Sequence, residues 1–216
     1  MANLKEIRTR ITSVASTMQI TSAMKMVSAA KLKRAQDAIT QMRPYSEKLR
    51  EILVNISSTL EGSAEGVYSQ EREVNKVLIV AIASNRGLCG AFNANIFKAA
   101  EKRIKEYAEK EVQIYAIGKR SADYFAGKHT VFNSNTEIFN DLNYEHVALM
   151  AQEVMDAFVQ GEFDKVEIIY NEFKNAATQE VVTQQFIPVV SEENEEGDIN
   201  ANYIFEPSKM SIVVDL

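Results

Sequence analysis

The chain's single cysteine, Cys89, lies in the stretch Ser84-Asn85-Arg86-Gly87-Leu88-Cys89-Gly90, directly after the apolar run at residues 77–83. Many enzymes hold a nucleophile or bind a phosphate in a glycine-flanked turn between a strand and a helix. Cysteine catalysis needs a thiolate, prepared by a histidine or by a helix N-terminus. The chain has two histidines, His129 and His146, either of which could be the base, and sequence alone does not place them relative to Cys89. The phosphatase spacing Cys-x5-Arg fails, because Asn95 stands where the arginine is required. No G-x-x-x-x-G-K-[ST], G-x-G-x-x-G or G-x-S-x-G occurs. Two readings of the turn remain open at this level. In one, the protein is a stand-alone α/β enzyme using Cys89. In the other, the glycines permit a tight reversal and the small thiol packs. One cysteine and two distant histidines do not make a structural zinc set. A lone cysteine excludes an intrachain disulfide, and no cofactor is implied.

The elements around the turn read as follows. Residues 77–83 are uniformly apolar, the pattern of a strand covered on both faces in a parallel sheet. Phe97, Ala100, Ile104 and Tyr107 then recur at helical spacing. Residues 112–118 form a second strand, and a short helix spans 119–126, stopped by Gly127. Val147, Met150, Val154 and Phe158 mark a further helix. Residues 166–173 and about 180–190 read as paired strands joined through 174–179. Strands alternating with helices predict a Rossmann-like α/β domain over residues 74–206. The acidic stretch 191–202 reads as an exposed loop.

The first sixty residues differ in kind. One heptad phase runs from Leu4 to Leu60, and thirteen of its seventeen positions are apolar, Ile7, Ile11, Val14, Met18, Leu32 and Ile39 among them. A seam kept in register this long is the mark of a coiled coil. Fully helical, it would extend about 85 Å, with Pro44 expected to kink or interrupt it and Gly62 and Gly66 to end it. The seam fails at Thr21, Lys25 and Ser28, where the large apolar side chains shift to Ile20, Met24, Met26 and Val27. That stretch is expected to face something other than a coiled-coil mate. Residues 1–50 carry a net charge of +7 and the remainder −13. The cations are spread around the helix rather than clustered, and the pI is 5.2, which argues against nucleic acid. A second long helix must cover the seam, and this chain offers none. A coiled-coil scaffold is therefore a further reading. No apolar run nears the ~18 residues of a membrane span, and the first residues lack the apolar core of a secretory signal.

Four blocks carry a family resemblance: LKEIRTRITSVASTMQITSAMKMVSAAKLKRAQ (4–36), SNRGLCGAFNANI (84–96), IGKRSADYF (117–125) and IIYNEFKNAATQEVVTQQFIP, followed by FEPS (205–208). On these the sequence resembles the gamma subunit of F-type ATP synthases over nearly its whole length. Asn85 stands where many members have Asp. The resemblance implies a central-stalk rotor without catalytic residues of its own, with residues 1–62 as the stalk helix. It implies rotation within a ring of alpha and beta subunits, and a globular domain that holds epsilon and sits near the membrane c-subunit ring. Ion flow, of protons, would be coupled in this way to ATP chemistry on beta. Met24 and Lys25, with Ile20 and Val27, match the region near the beta subunits' acidic helix-turn-helix lever. Arg8 and Arg10 match positions deeper in the ring, and Lys31, Lys33 and Arg34 match positions toward its lower opening. The turn with Arg86 and Cys89 matches a segment close to the same lever. Family members continue past residues 207–216 into a long C-terminal helix, so an end at Leu216 is read as a truncated form. The absence of a transit segment points to the cytoplasmic face of a bacterial inner membrane.

Overall fold

The computed structural model of the chain describes residues 3–60 and 67–189. Gly62, Gly66, the acidic stretch 191–202, the FEPS block and residues 207–216 lie outside the described residues. The chain divides into two compact units between residues 53 and 54.

The first unit is essentially one element. Helix α1 spans Leu4–Leu60. It contains no glycine, and its start is capped by Asn3, whose Oδ1 accepts from the Lys5 amide at 3.3 Å. The helix runs on through Pro44. The expected interruption therefore does not occur: the proline ring removes one backbone hydrogen bond, while the turns on either side retain theirs and elongation is cooperative. The hydroxyls of Thr9, Thr12, Thr17, Thr21 and Thr40 each donate back to the carbonyl four residues earlier, at 2.8–3.1 Å. This satisfies polar side chains without any outside partner. From residue 3 to 51 every side chain but Gln36 and Leu49 is exposed.

The second unit has the alternating order expected of it. Strand β1 (Lys76–Ile82) leads to α2 (Phe92–Glu106), β2 (Glu111–Ile117), α3 (Lys119–Phe125), β3 (Val131–Asn135), α4 (Tyr144–Val159), β4 (Lys165–Phe173) and β5 (Gln179–Ile187). The sheet order is β3-β2-β1-β4-β5. The first four strands are parallel, and β5 returns antiparallel to β4 as a hairpin. Strand β3 is an addition to the sequence reading. Its Val-Phe-Asn-Ser-Asn run has neither the continuous apolarity nor the clean alternation that identified the others.

The pleat of β1 divides its side chains between two cores. Val77, Ile79 and Ala81 pack with Ile96, Ala100, Ile114, Phe125 and Ile169 on the face covered by α2 and α3. Leu78 and Val80 pack with Tyr115, Val154, Phe158, Phe163 and Val166 on the face covered by α4. A single carboxylate is buried in the sheet, that of Glu167 on β4. Arg103 of α2 grips it with two hydrogen bonds of 2.6 Å, the Tyr107 hydroxyl donates to it at 2.8 Å, and Lys165 Nζ stands 3.3 Å away. Burial pushes the Glu167 carboxyl up, but the hydrogen bonds from Arg103 and Tyr107 outweigh this and hold it below the usual range. The Arg103 guanidinium is correspondingly raised by its bond to Glu167. The network pins α2, and with it the turn that precedes α2, to the sheet.

Candidate functional site

The turn between β1 and α2 is built from short-range polar contacts. Buried Asn93, in the first turn of α2, is the knot. Its Oδ1 accepts from the Ser84 amide at 3.0 Å, while its Nδ2 donates to Ser84 Oγ at 2.9 Å, to Cys89 Sγ at 3.2 Å and to the Arg86 carbonyl at 3.3 Å. Asn85 ties the turn to two other elements. Its Oδ1 accepts from the Lys119 amide at 2.8 Å, and its Nδ2 donates to the Thr136 carbonyl at 2.8 Å. An aspartate at 85 could accept the first bond but not donate the second, so this chain's asparagine is fully used. The Arg120 amide donates to the Ser84 carbonyl at 3.1 Å. The Arg120 guanidinium lies where a Cβ on Gly87 would project. Gly90 takes φ +61, as its residue type leads one to expect, but so does Leu88, a conformation that strains a leucine.

Cys89 is exposed. Neither histidine serves it: His129 Nε2 lies 3.1 Å from Glu101, and His146 Nδ1 lies 3.0 Å from the Asp141 carbonyl. The sulfur's nearest polar neighbours are the Asn93 amide and, at 4.0 Å, the Arg86 carbonyl. A nucleophile with no base to activate it does not make a catalytic site. Among the described residues no group of three or more His, Cys, Asp or Glu could hold a metal. A cleft of about 510 Å³ opens beside the ends of β2 and β3, where doubly wound folds commonly bind ligands. Its central carboxylate, Glu153, already accepts from Tyr115 at 3.0 Å and from Asn133 at 2.6 Å.

The other sequence-derived site residues lie on α1. Arg8, Arg10, Ile20, Met24, Lys25, Val27, Lys31, Lys33 and Arg34 are all exposed. Ile20, Met24 and Val27 retain 62%, 64% and 58% of their accessible surface, as large apolar side chains rarely do in a finished assembly. Lys33 pairs with Asp37 at 2.8 Å. Arg86 and Cys89 are brought together by the turn. Sequence reasoning did not single out Asn93, Leu88 or Arg120. Asn93 could have been found as the polar residue one turn into a helix that follows a glycine-rich loop.

The site residues thus divide between a doubly wound α/β domain and a long helix whose apolar seam is exposed from Leu4 to Met42. Comparison with known proteins gives the family. A family model described as ATP synthase matches residues 3–216. The ATP synthase gamma chain of Flavobacterium johnsoniae is 58% identical over all of this chain and 76% of its own length. The gamma chains of Christiangramia forsetii and of Geobacter sp. strain M21 are 54% and 41% identical, with the same coverage. The chain belongs to the ATP synthase gamma family, the central stalk of the F-type enzyme. It is therefore a non-catalytic subunit, the catalysis residing on the beta subunits, and the readings of a Cys89 enzyme and an unrelated scaffold fall away. Among solved structures, a chain of the central stalk and c ring of Tetrahymena thermophila mitochondrial ATP synthase matches with a TM-score of 0.60 at 24% identity, covering 78% of this chain and 72% of that one. A chain of the Euglena gracilis mitochondrial ATP synthase rotor matches with a TM-score of 0.54 at 19% identity, covering 83% and 61%. These two likenesses confirm the fold. Among the described residues no helix is long and apolar enough to cross a membrane.

Proposed function

We propose that this gamma chain is the rotating element coupling proton flow through a membrane c ring to ATP synthesis and hydrolysis on the beta subunits. The observation that carries this reading is the exposed band on α1, where Ile20, Met24 and Val27 stand beside Lys25 in the stretch where three successive seam positions are polar. Within the alpha and beta ring these residues would bear on the acidic lever of beta, with Arg8 and Arg10 deeper and Lys31, Lys33 and Arg34 toward the lower opening. Arg86 and Cys89 would approach the same lever from the α/β domain. That domain would hold epsilon and stand near the c ring, at the cytoplasmic face of a bacterial inner membrane. A rotor changes the state of each beta only through contacts that differ between states. Exposed ion pairs, worth about 0–1 kcal/mol each, suit contacts that must be broken every turn. Met24→Lys adds a cation facing the lever. ATP-driven proton pumping by the reassembled complex should then fall while ATP hydrolysis continues. Pumping at the unsubstituted level would overturn the assignment of Met24.

A further inference from the structure

Strand β4 presents Glu167, Ile169 and Asn171 to α2, a polar, an apolar and a polar position in succession on one face of the sheet. Helix α2 meets them with Phe92, Ile96, Ala100 and Arg103, which share one helical face. At the middle, Ile169 packs with Ile96 and Ala100. At the amino end of α2, Asn171 Nδ2 donates to the Phe92 carbonyl at 3.0 Å. At the carboxyl end, Arg103 donates to both oxygens of Glu167, and the Tyr107 hydroxyl donates to one of them. The helix is therefore fastened at both ends to a single strand, across about 13 Å of β4 and about 16 Å of α2.

Stability alone does not call for the inner of these fastenings. A buried ion pair exchanged for apolar side chains of similar volume often leaves a fold as stable as before, or more so. What apolar side chains do not supply is direction. Burial of apolar surface is non-directional, so the contact of Ile96 and Ala100 with Ile169 resists separation far better than sliding or swivelling. Hydrogen bonds fix both a distance and an angle, and one pin at each end removes both motions. The end pinned by Asn171 is the end that carries Asn93, the knot of the turn between β1 and α2.

We propose that Glu167 and Asn171, with Arg103 and Tyr107, are positioning residues for coupling. They make α2 a fixed strut, so that load entering at the turn passes into β4 instead of shifting the helix along the sheet. The inference rests on the reading above that the chain couples proton flow to ATP chemistry, and it gives a mechanical task to a carboxylate buried in the sheet.

The test uses the whole complex in sealed membrane vesicles, with ATP hydrolysis and ATP-driven proton uptake measured on one preparation. The combined substitutions Arg103→Met, Tyr107→Phe and Glu167→Met remove the pin at the carboxyl end and leave no carboxylate buried without a partner. The melting temperature of that chain should stay near the unsubstituted value, while protons taken up per ATP hydrolysed should fall by about threefold. Asn171→Leu removes the other pin and should lower the same ratio, and all four substitutions together should lower it further. Val154→Ala, on the opposite face of the sheet, lowers stability without touching a pin and should preserve the ratio. An unchanged ratio in both pin variants, in a complex that pumps, overturns the inference and leaves the functional reading in place. A fall no greater than that caused by Val154→Ala at matched loss of stability does the same. Should the triple variant not fold, Asn171→Leu decides the matter by the same comparison. A complex of the unsubstituted chain that hydrolyses ATP and takes up no protons overturns both.

Discussion

Ile79 and Ile11 are the same side chain in opposite conditions, one 0% and the other 63% exposed. Ile79 lies in a sheet whose two faces are covered by the chain's own helices, so the α/β domain carries its own reason to fold. Ile11 lies on a helix whose backbone is satisfied internally and whose apolar seam has no cover within its own unit. The domain's stability is a property of this chain alone, whereas that of α1 depends on what surrounds it. The contrast suits a stalk subunit: one part keeps apolar surface available, and the other buries its own.

Separating the units tests the contrast most severely. A fragment of residues 54–216 should melt cooperatively, while one of residues 1–53 should show helicity that rises with concentration and collapses on dilution, as circular dichroism would register. A monomeric, fully helical 1–53 fragment would erase the distinction. Within the domain, Glu167→Ala leaves Arg103 with Glu106 but without its buried partner and should cost about 2–3 kcal/mol, read from urea denaturation. Gly118→Ala should cost about 2–3 kcal/mol, because the residue has φ +89 and a Cβ would run into the Ala83 carbonyl. Neither change should alter the helicity of the 1–53 fragment, which lacks both residues.

The pH dependence should also come from the domain. The Glu167 carboxyl is held below its unfolded value, so its contribution is present above about pH 4.3 and is lost as pH falls through the lower folded value. Glu167→Gln should flatten that limb of the stability curve. Tyr107 runs the other way. Burial, together with its bond to Glu167, pushes its hydroxyl up to about 12, so its contribution is lost as pH rises from the ordinary tyrosine range, about 10, through that value. Smallest of all, Gly87→Ala should cost about 1 kcal/mol, since the flexible end of Arg120 can shift aside.

The same contrast governs what the sequence disclosed. Strand β1 was legible because both its faces are buried, which leaves an unbroken apolar run. Strand β3 was not, because it sits at the sheet's edge and three of its five residues are polar. The heptad seam located α1, but the survival of the helix through Pro44 depends on cooperative turns that a single-residue rule does not weigh. Glu167 read as an ordinary polar strand position, because the arginine that permits its burial lies 64 residues away in sequence. In the turn, glycine spacing predicted a sharp reversal, and Gly90 supplies it. The left-handed Leu88 was invisible, since residue propensity argues against it and only the clamp made by Asn85, Asn93 and Arg120 enforces it.

Strand β1 is hydrogen-bonded along its length to a parallel neighbour on each side, β2 and β4. A pull on the loop at its carboxyl end therefore loads both ladders in shear, so that many bonds must yield at once. Pulling at β3 or β5, which lie at the edges, would instead peel a single ladder bond by bond. The loop bearing Arg86, Leu88 and Cys89 is thus attached where the sheet resists traction best.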